Sequence, residues 1–383
     1  VNTTIKLIKP YDGTWMVLHS KNGQTELGSI EYIGADIVVN EDAYYKESGK
    51  RLTGKPLCLG QYTTSVKYYG TGSGWNMFYV FTDVAREAGV YCQWKKFEKK
   101  DSLSRMVAPM AQAGFDFQHV EMMDGDGSAS ALLLSNGVLY QIPRAGKVYK
   151  PGSGLTGDVK ITLASKVINN ALLYDEAGRF IEVKAKSGGI PSVMKFSGDE
   201  ILFPAEQEGK EMVLMQSTVN DGLTYVVLKD RAGDYYYYGI VLGTEGVNTQ
   251  RYYGKLSGTD VDQATLFACH PLYGTLFYAT KDRIYEFDMK NPSTPVKEIC
   301  HFPGETIKVL KFNPFSAFRQ YKVWEDMRSE HLVVGTTIDG ADEKGCGIMR
   351  TYEFEPQWDK APILKKEHKG LGKIVDIAYK EIR

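Results

Sequence analysis

The chain closes on "GKIVDIAYKEIR", residues 372–383. Strict alternation puts Ile374, Asp376 and Ala378 on one side and Val375, Ile377 and Tyr379 on the other, a half-apolar β-strand pattern. A lone strand leaves its backbone N–H and C=O groups open. The partner that this last strand takes therefore decides the fold.

Hairpin signals recur upstream of it. "TWMVLHSKNGQTELGSIEYI" turns at Asn22-Gly23, "MFYVFTDVAREAGVYCQW" near Arg86, and "SALLLSNGVLYQIP" at Asn136-Gly137. "NALLYDEAGRFIEVKA" turns at Ala177-Gly178 and "TYVVLKDRAGDYYYYGIVL" at Ala232-Gly233. "GTLFYATKDRIYEFDM" turns at Lys281-Asp282, and "HLVVGTTIDGADEKGCGIMRTYEFEP" near Asp342. Asn-Gly or Gly-containing turns between alternating strands are the strongest short-range hairpin signal. The turns recur about every 53 residues, near the roughly 40–50 of compact propeller repeats.

Short apolar strands precede most of these hairpins: "GFDFQHVEMM", "DVKITLAS", "IPSVMKFSG", "DQATLFACHP" and "TIKVLKFNP". Each reads as the inner strand of a four-stranded blade. The first hairpin lacks one, and "KIVDIAYK" has the matching pattern. The expectation is an all-β chain: a seven-bladed β-propeller over residues 11–383, closed by the C-terminal strand joining the first blade. Six or eight blades remain open. Residues 1–10 read as a linker or the last strand of a preceding domain. Residues 34–62, 95–114 and 315–330 read as short helical or irregular inserts, with Asp101 and Ser102 as caps for the second. Such inserts either brace the ring or carry its function.

Composition sets outer limits. The chain has 383 residues, 43% hydrophobic and 24% charged, with 25 Tyr and 39 Gly against 14 Pro. Tyr and Gly together favour strands and tight turns. A formal net charge of −1 implies no basic surface for nucleic acid. Cys58, Cys92, Cys269, Cys300 and Cys346 are odd in number, widely spaced and without a CxxC, so they read as buried thiols rather than a disulfide framework or zinc ribbon. No run of 18 apolar residues spans a membrane, and "VNTTIKLIKP" has no signal-peptide apolar region. The start on Val reads as a mature or trimmed chain.

"GTWMVLHSKNGQTELGSIEY", "GKPLCLG" and the final "GKIVDIAYKE" resemble the PKD-like (polycystic-kidney-disease-like) family of lipoproteins of Gram-negative gut bacteria. The resemblance runs from about residue 11 to 383. It implies sandwich domains ahead of a propeller-like C-terminal region, in systems that capture and take up polymers, glycans above all. It implies an exported protein at the outer-membrane surface or in the periplasm. A lipobox cysteine is missing, so membrane attachment is expected only through a lipid anchor outside this sequence. The resemblance brings no catalytic residues with it.

Candidate sites follow from residue chemistry. In "DGDGS", Asp124, Asp126 and Ser128 alternate like the start of a calcium loop, but the twelfth position is Ser135 instead of a bidentate carboxylate. Turn chemistry explains the same residues. Calcium is the only cofactor suggested, at Asp124 and Asp126. Tyr68, Tyr69 and Trp75 flank the Gly-rich "GTGSG" and are candidate sugar-stacking rings, or else blade packing. In "CHP", His270 ends an inner strand and is expected at the rim of the central channel. Cys269 points to the opposite face, so the two do not form a nucleophile dyad. The six His show no zinc spacing, and no phosphate-loop or GxSxG motif occurs.

Three functions compete. The first is a monomeric, non-enzymatic exported binder of a glycan or an outer-membrane protein partner. The second is a propeller-type glycoside hydrolase or polysaccharide lyase, whose two carboxylates linear order does not single out. The third is a scaffold docking to an outer-membrane transporter.

Overall fold

A computed structural model describes residues 15–33, 36–64, 75–84, 86–92, 97–102, 117–125, 128–142, 161–167, 170–184, 191–198, 200–218, 223–243, 247–312, 331–355 and 360–379. Residues 1–10 and the insert 315–330 lie outside them.

The described chain is all-β and meanders. β1 (Trp15–Lys21), β2 (Gln24–Ile33) and β3 (Asp36–Asn40) open it, and α1 (Ala43–Ser48) follows. β4 (Pro56–Thr64), β5 (Trp75–Thr82), β6 (Gly89–Cys92) and β7 (Glu98–Ser102) make a second sheet. β8 (Phe117–Gly125), β9 (Ser128–Ser135) and β10 (Val138–Ile142) make a third. The fourth is β11 (Ile161–Val167), β12 (Asn170–Asp175), β13 (Phe180–Lys184) and β14 (Ser192–Val193). The fifth is β15 (Lys210–Ser217), β16 (Leu223–Asp230), β17 (Tyr235–Val241) and β18 (Thr249–Lys255). The sixth is β19 (Leu266–Cys269), β20 (Thr275–Ala279), β21 (Arg283–Asp288) and β22 (Lys297–His301). The seventh is β23 (Glu305–Phe312), β24 (Leu332–Ile338), β25 (Gly347–Glu353) and β26 (Ile363–Leu371).

The last strand, β27 (Lys373–Tyr379), pairs antiparallel with β1, from Trp15 opposite Tyr379 to Ser20 opposite Lys373. The first sheet is thus β27-β1-β2-β3. Each sheet's lead strand lies beside that of the next, from β27 to β4, β8, β11, β15, β19 and β23, and β23 in turn lies beside β27. Asp376 ties the lead strands together: its carboxylate accepts the Leu59 N–H of β4 at 2.8 Å and the Lys311 ammonium of β23.

Both faces of the inner strands are buried, which explains runs such as "WMVL" at the start of β1 that are apolar without a gap. Alternate residues feed opposite cores. Met16 and Leu18 pack with Leu59, Phe78 and Val80 of the second sheet. Trp15 and Val17 pack with Val309, Val333 and Met349 of the seventh. In β20, Leu276 and Tyr278 face the fifth sheet while Phe277 and Ala279 face the seventh.

The turns form as their chemistry dictates. Asn22 and Gly23 have φ of 53° and 71°, and Asn136 and Gly137 have 51° and 70°, the left-handed pair that a two-residue hairpin needs.

Four expectations change. Strict alternation separates Ile374 from Ile377, yet both lie in one core with Tyr379. A bulge is the reason: Leu18 faces Asp376 and His19 faces Ile374, so Val375 is the extra residue that resets the faces. "IPSVMKFSG" supplies β14, the short last strand of the fourth sheet, and not the inner strand of the fifth, which is Lys210–Ser217. Within 34–62 the helix is α1, but Asp36–Asn40 and Pro56–Thr64 are strands. Asp101 and Ser102 end strand β7, and the residues expected to be capped by them lie outside the described ones.

Candidate functional site

Among the described residues, a pocket of about 230 Å³ opens between the sixth and seventh sheets. Its wall includes His270, Tyr273, Phe277, Glu286, Lys290 and Phe354. The sixth sheet supplies most of it. β19 ends at Cys269, and the chain turns through residues 270–274, with Gly274 at φ 68°, into β20. Phe277 faces the pocket from β20, and Glu286 stands opposite it on β21. Lys290 lies in the turn after β21, and Phe354 follows β25 of the seventh sheet.

His270 is anchored by the turn it begins. Its Nδ1 accepts the backbone N–H of Leu272 at 3.1 Å and of Tyr273 at 3.3 Å. Two donors aimed at Nδ1 require a lone pair there, so the ring proton resides on Nε2. The Tyr273 ring stacks on the imidazole at 4.2 Å and 11°, and Phe312 meets it edge-on at 5.0 Å. The residue is 1% exposed, and Nε2 is buried without a hydrogen-bond partner. Burial holds the imidazole down at about 3, so it is neutral near pH 7.

Glu286 is 7% exposed. Burial pushes its carboxyl up to about 7, against the pull of Lys297, with Asp288 adding to the push. Lys297 stands opposite Glu286 on β22 and donates its ammonium to the Lys360 carbonyl at 2.8 Å. Asp288 shapes the turn: its carboxylate accepts the N–H groups of Lys290 at 2.8 Å and Asn291 at 3.2 Å. The site thus combines aromatic walls, one buried donor without a partner and one buried carboxyl.

The sequence candidates fall in separate places. His270 follows the end of β19 and is buried in this seam. Cys269 is fully buried in the core shared with the fifth sheet, its thiol pushed far up by burial, and Gln216 brackets its backbone N–H and C=O at 2.9 and 2.8 Å. Trp75 is the first residue of β5, opposite Thr64. Tyr68 and Tyr69 lie outside the described residues. Asp124 belongs to β8, opposite Ala129 of β9, and Asp126 lies outside the described residues. The stretch that a twelve-residue calcium loop would use is strand over Ser128–Ser135. Among the described residues no group of three His, Cys, Asp or Glu could hold a metal ion. Cys58, Cys269, Cys300 and Cys346 form no disulfide.

Glu286, Tyr273 and Phe354 were not singled out by sequence. In "RIYEFD" the acid reads as the solvent side of a strand. The signal that finds it is the strand's setting: Tyr285 and Phe287 face the fifth sheet and Ile284 the seventh, so an acid on the Ile284 side is buried.

Comparison with known proteins gives a family model, the PKD-like family, that matches residues 1–56. No curated protein matches the chain. Among solved structures, dihydro-heme d1 dehydrogenase NirN is similar at 9% identity and a TM-score of 0.46, over 98% of this chain and 77% of that one. Prp20p from Saccharomyces cerevisiae has 9% identity and a TM-score of 0.45, over 89% of this chain and 95% of its own. The extracellular domain of the hybrid two component system BT4673 from B. thetaiotaomicron has 10% identity and a TM-score of 0.43. It is matched over 88% of this chain and 34% of its own. Likeness at this level transfers no activity or partner. No helix among the described residues is long and apolar enough to cross a membrane.

Proposed function

We propose that the seven sheets are the blades of a β-propeller closed by β27, and that the protein is an exported, non-enzymatic binding protein. It recognises a glycan or a protein partner in a polymer-uptake system, at the outer-membrane surface or in the periplasm, acting as a monomer held through a lipid anchor. The β27–β1 ladder and the order of lead strands favour closure, because they leave no sheet with an open inner edge. The PKD-like match at residues 1–56 favours export.

The observation that carries the binding reading is the seam pocket. Aromatic rings (Tyr273, Phe277 and Phe354) beside convergent polar groups (His270, Glu286, Asp288 and Lys290) give this concave site both stacking surfaces and hydrogen-bonding partners. Its volume is below the roughly 300–1,000 Å³ of sites for drug-sized molecules, so it accepts one small unit. Tyr68, Tyr69 and Trp75 offer a second, sugar-stacking surface. Calcium at Asp124 and Asp126 remains the candidate ion.

Thermal unfolding of the chain with a panel of polysaccharides, in calcium and in chelator, tests this. The expected result is a saturable rise in Tm with a glycan and no reducing-end product. Turnover of the polysaccharide would turn the reading into hydrolase or lyase. No shift and no turnover would favour the transporter-docking scaffold. A shift with calcium alone would make Asp124 and Asp126 ligands, and loss of the glycan shift in Trp75→Ala would move the site to that surface.

A further inference from the structure

We infer that the seam pocket is a subsite for one neutral, hydroxyl-rich saccharide unit, with the His270 Nε2–H donating to a sugar oxygen, Glu286 accepting from a sugar hydroxyl, and Tyr273 and Phe354 as its apolar walls. The inference rests on the binding reading above and gives it a place and a chemistry.

The unpartnered donor is the starting point. A buried N–H with no acceptor is costly, and natural cores pair nearly all such groups. Nδ1 is already committed to the turn, so His270 can present only Nε2–H. The occupant must bring an acceptor.

Glu286 narrows the class. It lines the same pocket as a buried carboxyl, with Asp288 and Glu355 also on the wall and Lys290 as the wall's cation. An anionic occupant would satisfy Nε2 but would bring its charge up against these carboxylates. An ammonium would suit the carboxylates but leave Nε2–H facing a cation. A divalent ion finds a protonated ring nitrogen, and the described residues form no cluster that could hold one. A hydroxyl both accepts and donates, so neighbouring hydroxyls on one ring meet both groups at once. The aromatic walls suit the apolar C–H face of such a ring, and the volume suits one unit.

The test uses the whole chain with its histidines labelled with ¹⁵N. Free glucose, galactose, mannose and N-acetylglucosamine are titrated, with sodium acetate and methylammonium as the competing chemistries. The expected result is a saturable shift of the His270 Nε2 signal with at least one sugar and with neither ion. His270→Asn keeps a side-chain oxygen for the turn N–H groups but has no Nε2 donor, and it should weaken that sugar about tenfold, the loss of one hydrogen bond. Glu286→Gln should weaken it by a similar factor, each variant retaining its cooperative unfolding. The Nε2 shift in the unaltered chain decides the matter even where a variant does not fold.

A polysaccharide that binds while Nε2 stays still, or binds both variants unchanged, overturns the subsite and leaves the binding reading standing. A response to acetate or methylammonium alone overturns the sugar class. Silence toward every sugar and every polysaccharide overturns both.

Discussion

The seventh sheet has two seams, and they are built differently. Against the first sheet it is tight: Val309, Val333, Met349 and Leu371 meet Trp15, Val17, Ile374 and Ile377, and its polar groups are paired across the seam, Tyr32 Oη with His368 Nε2 at 3.1 Å and Lys311 with Asp376. A Cβ added at Gly347 would lie 2.0 Å from the Gly372 carbonyl oxygen. Against the sixth sheet the same seventh sheet offers Leu310, Phe312, Leu332 and Val334 to Phe277 and Ile284, but this core ends on buried His270 and Glu286 beside a pocket. The first seam is crossed by the shortest link between sheets, Gly372 between β26 and β27, and β27 then pairs with β1 from the other end of the chain. The second seam is crossed by residues 302–304, between β22 and β23, while the turn 270–274 between β19 and β20 lies within the sixth sheet. At the second seam the His270 Nε2–H is left without a partner. The two faces of one sheet thus differ, one close-packed throughout and the other ending on buried polar groups beside a pocket.

The largest effect should come from breaking the tight seam. Ile377 is completely buried between β1 and the seventh sheet. Ile377→Ala should cost about 2–5 kcal/mol, the usual range for a buried aliphatic cut to Ala. Phe354→Ala, at the half-buried edge of the pocket seam, should cost less. Urea unfolding of both chains measures the pair. Equal losses would mean that the two seams are equivalent.

A smaller effect should come from filling the same seam. Gly347 needs its missing side chain because of the Gly372 carbonyl at 2.0 Å and Ile374 Cγ1 at 2.9 Å, not because of its φ. Gly347→Ala must push backbone on backbone and should cost about 1–3 kcal/mol. Gly340 has open space around its absent Cβ, and Gly340→Ala strains only a φ of 69°. Thermal midpoints that fell more in Gly340→Ala than in Gly347→Ala would contradict the tight-seam description.

Much of this fold is written locally. Asn22-Gly23 and Asn136-Gly137 announce their turns because few other pairs accept two positive φ angles. "TIKVLKFNP" and "KIVDIAYK" carry lead-strand patterns that β23 and β27 match. What is not local is harder to read. The bulge that puts Ile374 and Ile377 in one core exists only because β27 must match β1, a strand more than 350 residues away. "IPSVMKFSG" looks as strand-like as "KEMVLMQS", and only pairing with β16 shows which of them leads the fifth sheet. The site divides in the same way. His270 stands out because a polar residue ends an apolar strand. Glu286 does not, because only the neighbouring sheets make it a buried acid.

The smallest effect probes the polar seam through pH. Folding holds the His270 imidazole at about 3 against 6.5 in an unperturbed chain. Between those values the unfolded chain binds a proton that the folded chain refuses. The neutral imidazole's share of stability is therefore complete above about pH 6.5 and is lost as pH falls toward 3. Glu286 runs the other way. Its carboxyl rests at about 7 when folded against 4.5 otherwise, so its share is complete below about 4.5 and is lost as pH rises to 7. Between pH 4.5 and 6.5 the two slopes oppose, each about 1.4 kcal/mol per pH unit at most. Removing either group should expose the other. His270→Asn should lose stability relative to the unaltered chain as pH rises through that window. Glu286→Gln should lose it relative to the unaltered chain as pH falls through the same window. Urea midpoints at pH 4.5, 5.5 and 6.5 read both differences, and titrations common to all three chains cancel in them. Parallel curves for the three chains would mean that the two groups keep solution-like protonation, and the contrast between a seam with paired polar groups and one with unpaired buried ones would lose its electrostatic half.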